Sequence, residues 1–128
     1  MKIAYMVVVF VSTAVGSAVA DDSLLTKKFS VCMDKSDGVT SSMLDCIGKE
    51  TTTQDARLNG AYKKLATQLT PNRKKQLITA QRLWIQYRDA NCKFYADPEG
   101  GTMATVNASD CVLQATAARA KELENFLE

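Results

Sequence analysis

Four cysteines and two closely spaced carboxylates are the side chains in this sequence whose types and spacing admit chemistry. Cys32, Cys46, Cys92 and Cys111 are even in number. As four thiolates they would be a zinc set, but the wide intervals lack the paired C-x₂₋₄-C knuckles that present sulfur tetrahedrally. No Cys-x-x-Cys exists to act as a redox dithiol. Structural disulfides are therefore the expected use. Glu50 and Asp55 would be the carboxylate pair of a glycosidic acid–base site. In a small helical domain, however, such groups are normally solvated or paired with arginine. The sequence contains no histidine, which removes the commonest general base, the usual partner of a Ser or Cys nucleophile, and the commonest transition-metal ligand. These observations point to a protein that is not an enzyme and holds neither metal nor cofactor.

Residues 1–20 read as a secretory signal. Lys2 precedes an apolar run from Ile3 to Val11, and Ala18-Val19-Ala20 predicts cleavage before Asp21. The run is too short for a membrane span of about 20 residues, and no cysteine stands at the cleavage point to carry a lipid anchor. The expected product is periplasmic or secreted, an oxidising setting in which disulfides persist. Residues 21–128 then form one domain, of a size at which core burial alone is marginal. Without Lys2 its basic and acidic side chains nearly balance, which implies neither nucleic acid nor an anionic membrane as partner.

The elements that must position these residues read as helices. Leu25, Phe29 and Cys32 suggest a short first helix, and "DKSDGVTSS" a loop. From Ser42, Met43, Ile47, Leu58, Tyr62, Leu65 and Leu69 recur on one face, with "ETTTQDA" a weak patch because β-branched residues lose rotamer freedom in a helix. Thr70 and Pro71 form an N-cap and first-turn signature. The next helix runs from Pro71 to about Tyr95, with Leu77, Ala80, Trp84, Tyr87, Asn91 and Phe94 on the side assigned to the core, flanked by Ile78, Ile85 and Cys92. After "DPEGGT" a last helix starts near Asn107 or Ser109, carrying Leu113, Ala117, Ala120, Leu123 and Leu127. No useful period-two alternation appears. The fold class is all-α: a small bundle of three main helices plus a short N-terminal one, stapled by two disulfides.

Four cysteines permit three pairings. Pairing neighbours would close loops of roughly 15 to 20 residues, near 3 kcal/mol each in the chain-entropy account. Two stretches, "DCIGKETTTQDARLNGAYKKL" from Asp45 to Leu65 and "AQRLWIQYRDANC" from Ala80 to Cys92, stand between Cys32 and Cys111, the latter followed by a helix with Arg119 and Leu123. Together they resemble the LprI-type lysozyme-inhibitor family. The resemblance implies a helical domain with Cys32 joined to Cys46 and Cys92 to Cys111, and, for some members, inhibition of bacterial cell-wall lysozyme. The chain departs from the founding type, which looks like a lipoprotein.

Asp55, Asn59 and Tyr62 on one helix, and Arg82, Arg88 and Asp89 on the next, are expected to meet across an antiparallel seam, with Arg88 or Arg82 facing Asp55 or Glu50 as a structural network. The functional expectation is a protein that grips a protein partner, lysozyme. The candidate binding loop is the connector held between Cys92 and Cys111, with Asp97, Glu99, Thr102 and Met103; a second candidate surface is "DKSDG", with Asp34 and Asp37. The alternative is an envelope interaction module, such as an immunity partner or assembly factor.

Overall fold

The computed structural model describes residues 24–128, so the signal assigned to residues 1–20 lies outside the described residues. The described chain is all-α. Its helices are α1 (Lys27–Ser36), α2 (Thr40–Gln68), α3 (Pro71–Tyr95) and α4 (Gly101–Asn125). None of them is long and apolar enough to cross a membrane.

Each boundary has a local cause. The Thr26 hydroxyl caps α1 by accepting from the Phe29 N–H at 3.1 Å. Asp37, with φ 48°, and Gly38, with φ 74°, then turn the chain through the left-handed region. This turn is far tighter than the loop expected from "DKSDGVTSS", since α1 reaches Ser36 and α2 resumes at Thr40. The threonine patch does not interrupt α2. The Thr51, Thr52 and Thr53 hydroxyls bond back to the carbonyls of Ile47, Gly48 and Lys49, which satisfies them within the helix. Thr70 accepts from the Arg73 N–H and Pro71 takes the first helical position of α3.

The two disulfides are Cys32–Cys46 and Cys92–Cys111. With every cysteine so used, the tetrathiolate zinc set does not exist. The first bond staples α1 to α2. The second ties the last turns of α3 to the third turn of α4.

The centre of the molecule is α4. It packs most extensively on α2 and on its other side against α3, while α1 lies on α2. One apolar cluster joins Ile47, Val106 and Leu113 beneath Phe29 and Met33. The other joins Leu58, Ala61, Leu65, Ala120 and Leu123, with Tyr62, Leu69, Leu77 and Trp84 against them. The order of these partners makes α2 and α4 run the same way, with α3 returning between their ends. Leu113, Thr116, Ala117, Ala120 and Leu123 are completely buried.

Two expectations are corrected here. α4 begins at Gly101, not near Asn107, because Ala104 and Val106 are buried on its packed face; tertiary burial outweighs the weak propensity of "TVNAS". In α3, the side assigned to the core is right in part. Leu77, Trp84 and Asn91 are half-buried, with flanking Ile78 half-buried and Cys92 buried, whereas Ala80, Tyr87, Phe94 and Ile85 are exposed and the polar Gln81 and Arg88 pack towards α4 instead. The helix carries apolar residues on both sides, so periodicity alone does not say which side meets α4.

Candidate functional site

Three groupings of polar or exposed side chains emerge from this frame. The first ties α1, α2 and α4 together. Buried Glu50 accepts from the Thr26 N–H at 2.9 Å, from the Thr26 hydroxyl at 2.6 Å and from the Gln54 amide at 2.8 Å. Gln54 in turn accepts from Arg57 at 3.0 Å, and Arg57 grips Glu124 of α4 with two parallel bonds, a bidentate geometry that fixes the angle between the helices. Burial pushes the Glu50 carboxyl up, but the bonds from Thr26 and Gln54 outweigh it and hold the group below the ordinary glutamate range. The Arg57 guanidinium likewise lowers Glu124, and Glu124 raises Arg57.

This arrangement argues against acid–base work by Glu50. A general acid needs a raised pKa and an open face, whereas Glu50 is lowered and has both oxygens engaged. Asp55 stands five residues on, about 140° around the helix, exposed and accepting from Asn59 at 3.1 Å. The two carboxylates face different surroundings. Among the described residues, no group of three or more His, Cys, Asp or Glu side chains could hold a metal ion.

The second grouping lies between α3 and α4. The Trp84 ring has Arg88 at 5.0 Å and Arg119 at 5.9 Å from its centroid, within cation–π range. Arg119 donates to Gln81 at 3.0 Å and pairs with Glu122. Arg88 pairs with Asp89 and reaches the buried Thr116 hydroxyl at 3.4 Å. The expected network between α2 and α3 is therefore not formed. Arg88 turns to α4, Arg82 lies on the exposed side of α3, Asp55 and Asn59 bond each other, and Tyr62 packs against the apolar cluster. The reason is topological: α4 takes the position against α2 that the expectation gave to α3. Thr26, Gln54, Arg57 and Glu124 were not singled out in the sequence, where only the Thr26 cap before an apolar helix offered a signal.

The third grouping is the tip where α3 meets α4. Asp97 accepts from the Glu99 N–H at 2.9 Å and from the Gly100 N–H, through its carbonyl, at 3.0 Å. Gly100 is required there, because a Cβ would stand 2.7 Å from that of Ala104. Asp97 and Glu99 lie in this turn, while Thr102 and Met103 sit in the first turn of α4 and not in a loop. All four are exposed, beside the outward-facing Phe94 and Tyr95. The Cys92–Cys111 bond lies directly beneath. The sequence-selected residues here thus share one stapled end, acidic and apolar together. Asp34 and Asp37 sit at the C-terminal end of α1 beside the Cys32–Cys46 bond, at the same end of the bundle as the start of α4 but on a separate turn.

Comparison with known proteins places this geometry. The family described as lysozyme inhibitor LprI matches residues 32–123. The chain belongs to the LprI lysozyme-inhibitor family. The matched span runs from the first cysteine to the core residue Leu123, so it holds both disulfides, the Trp84 cluster and the tip. Outside the span lie two partners of the first network, Thr26 and Glu124. The chain is also similar to an uncharacterized protein of Rhizobium meliloti (strain 1021), 28% identical over 97 residues, covering 65% of this chain and 70% of the relative. No solved structure matches it.

Proposed function

We propose that this LprI-family protein is exported and, without catalysing a reaction itself, binds and blocks lysozyme. The observation that carries the reading is the stapled tip. Asp97 and Glu99 stand beside exposed Tyr95 and Met103 on a turn whose ends are fixed by the Cys92–Cys111 bond. Blocking a cleft requires a protrusion that already has its bound shape, because segments ordered on binding subtract from affinity. The nearly neutral domain supplies little long-range attraction as a whole, so the paired tip carboxylates provide the local charge that orients a basic enzyme, and the apolar side chains provide area to bury.

The test is lysis of bacterial cell walls by lysozyme with increasing amounts of the purified, oxidised protein. A stoichiometric fall in the lysis rate is expected. Undiminished lysis at large molar excess, with a single different envelope protein recovered from periplasmic extract, would favour the interaction-module reading instead.

A further inference from the structure

One flank of α3 is apolar and exposed, starting beside α4 at Gln76 and Ala80, and nothing among the described residues covers its large side chains. Leu83, Tyr87 and Phe94 are 59%, 68% and 85% exposed. With Gln76, Ala80 and Ala90 they occupy positions 76, 80, 83, 87, 90 and 94, the alternating four–three spacing of a coiled-coil seam. An aromatic side chain buries about 150–250 Å², so these three large residues alone offer roughly 400 Å² per molecule. That equals the largest apolar patch of an ordinary monomer, about 300–600 Å².

The order of residues along this seam identifies its partner. About residue 85 the positions are self-complementary: Leu83 opposes Tyr87, Ala80 opposes Ala90, and Gln76 opposes Phe94. A second copy of the helix, antiparallel and related by a two-fold axis, would place Leu83 against Tyr87 twice about the axis and Phe94 against the aliphatic stem of Gln76 at each end, the self-complementary arrangement of an isologous interface. Charge selects the same direction. Arg73, Lys74 and Lys75 crowd the start of α3, and Asp97 and Glu99 follow its end. Antiparallel pairing brings the basic end of one copy to the acidic tip of the other, whereas parallel pairing stacks like charges.

We infer that the protein self-associates through this exposed apolar flank of α3, forming an antiparallel two-fold dimer with Leu83 and Tyr87 at its centre and Phe94 towards each end. Doubling the patch gives roughly 800 Å² from these side chains, and the flanking residues carry the total to about 1,000 Å², the low end of specific interfaces. The dimer is accordingly weak and concentration-dependent. It does not depend on lysozyme being the target.

Sedimentation velocity over a dilution series of the whole exported protein tests this. A concentration-dependent monomer–dimer equilibrium is expected. The variant Leu83→Glu/Tyr87→Glu should remain monomeric with an unchanged helical spectrum, since both side chains point to solvent in the monomer. Arg73→Glu/Lys74→Glu should weaken the dimer about tenfold, and adding Asp97→Lys/Glu99→Lys to that variant should restore it, because antiparallel helices exchange these ends. A protein that stays monomeric at the highest soluble concentration overturns the inference. So does a dimer indifferent to the glutamates at 83 and 87, or one that the charge reversal fails to restore.

Discussion

The two sides of α4 hold the molecule together by different means. Towards α2 the seam is apolar and closed: Leu113, Ala117, Ala120 and Leu123 are completely buried there, and Arg57 bonds Glu124 at its edge. Towards α3 the seam is built from Gln81, Trp84, Arg88, Thr116 and Arg119, with a disulfide at one end. The first kind of contact stabilises through area removed from water. The second relies on directional contacts worth less apiece and on a covalent tie, and it leaves Leu83, Tyr87 and Phe94 of α3 exposed. The lesson is a division of labour: α2 and α4 supply the fully buried side chains, whereas α3 adds the half-buried Leu77 and Trp84 to that core and ends in an exposed, stapled tip.

The largest effect that would break this comparison lies on the α2 side. Leu123→Ala leaves a cavity in a fully buried site and should cost about 3–5 kcal/mol, read from denaturant midpoints. A cost no greater than that of removing an α3 side chain would mean that the two seams are equivalent.

Next comes the tie at the tip. Cys92→Ser/Cys111→Ser should cost about 2–4 kcal/mol, and amide exchange should then rise in α3 before it rises in α2. Uniform acceleration along the chain would show that α3 opens only with the whole domain.

The smallest of the three concerns Glu50. Glu50→Gln keeps one oxygen acceptor but puts an NH2 where the other oxygen accepts from Thr26, and removes the charge that strengthens these bonds; it should cost about 1–3 kcal/mol at neutral pH. The acid dependence carries a definite sign. Glu50 and Glu124 are both held below their ordinary values, so their contribution is complete above the unfolded value of about 4.3 and disappears as the pH falls through the lower folded values. Acid titration of thermal stability should show this loss, reduced in Glu50→Gln.

The same contrast explains what the sequence made legible. The stripes of α2 and α4 could be read because each has one apolar side, from Ile47 through Leu65 and from Leu113 through Leu127. The inward side of α3 could be read only in part, at Leu77, Trp84, Asn91 and Cys92, because apolar residues surround the helix and the side that packs includes the polar Gln81 and Arg88. The short connectors were misjudged for a related reason: burial of Ala104 and Val106 extends α4 backwards, which local propensity does not reveal. The cysteine spacing and the two quoted stretches carried the family and the disulfide frame. The partners of Glu50 were hidden because they depend on which helices become neighbours. Thr26 lies 24 residues from Glu50, and further along the same network Glu124 meets Arg57 only because α4, not α3, lies against α2.

The central proposal is that recognition resides in the exposed side chains of the stapled tip, which themselves add little to stability. Its most direct test is a titration of lysozyme by the wild type and by Asp97→Lys/Glu99→Lys, with cell-wall lysis and thermal stability measured on the same samples. The account predicts inhibition by the wild type, a loss of about tenfold or more in potency for the charge reversal, and little change in stability. Equal potency for both proteins, or no inhibition by either, would contradict it.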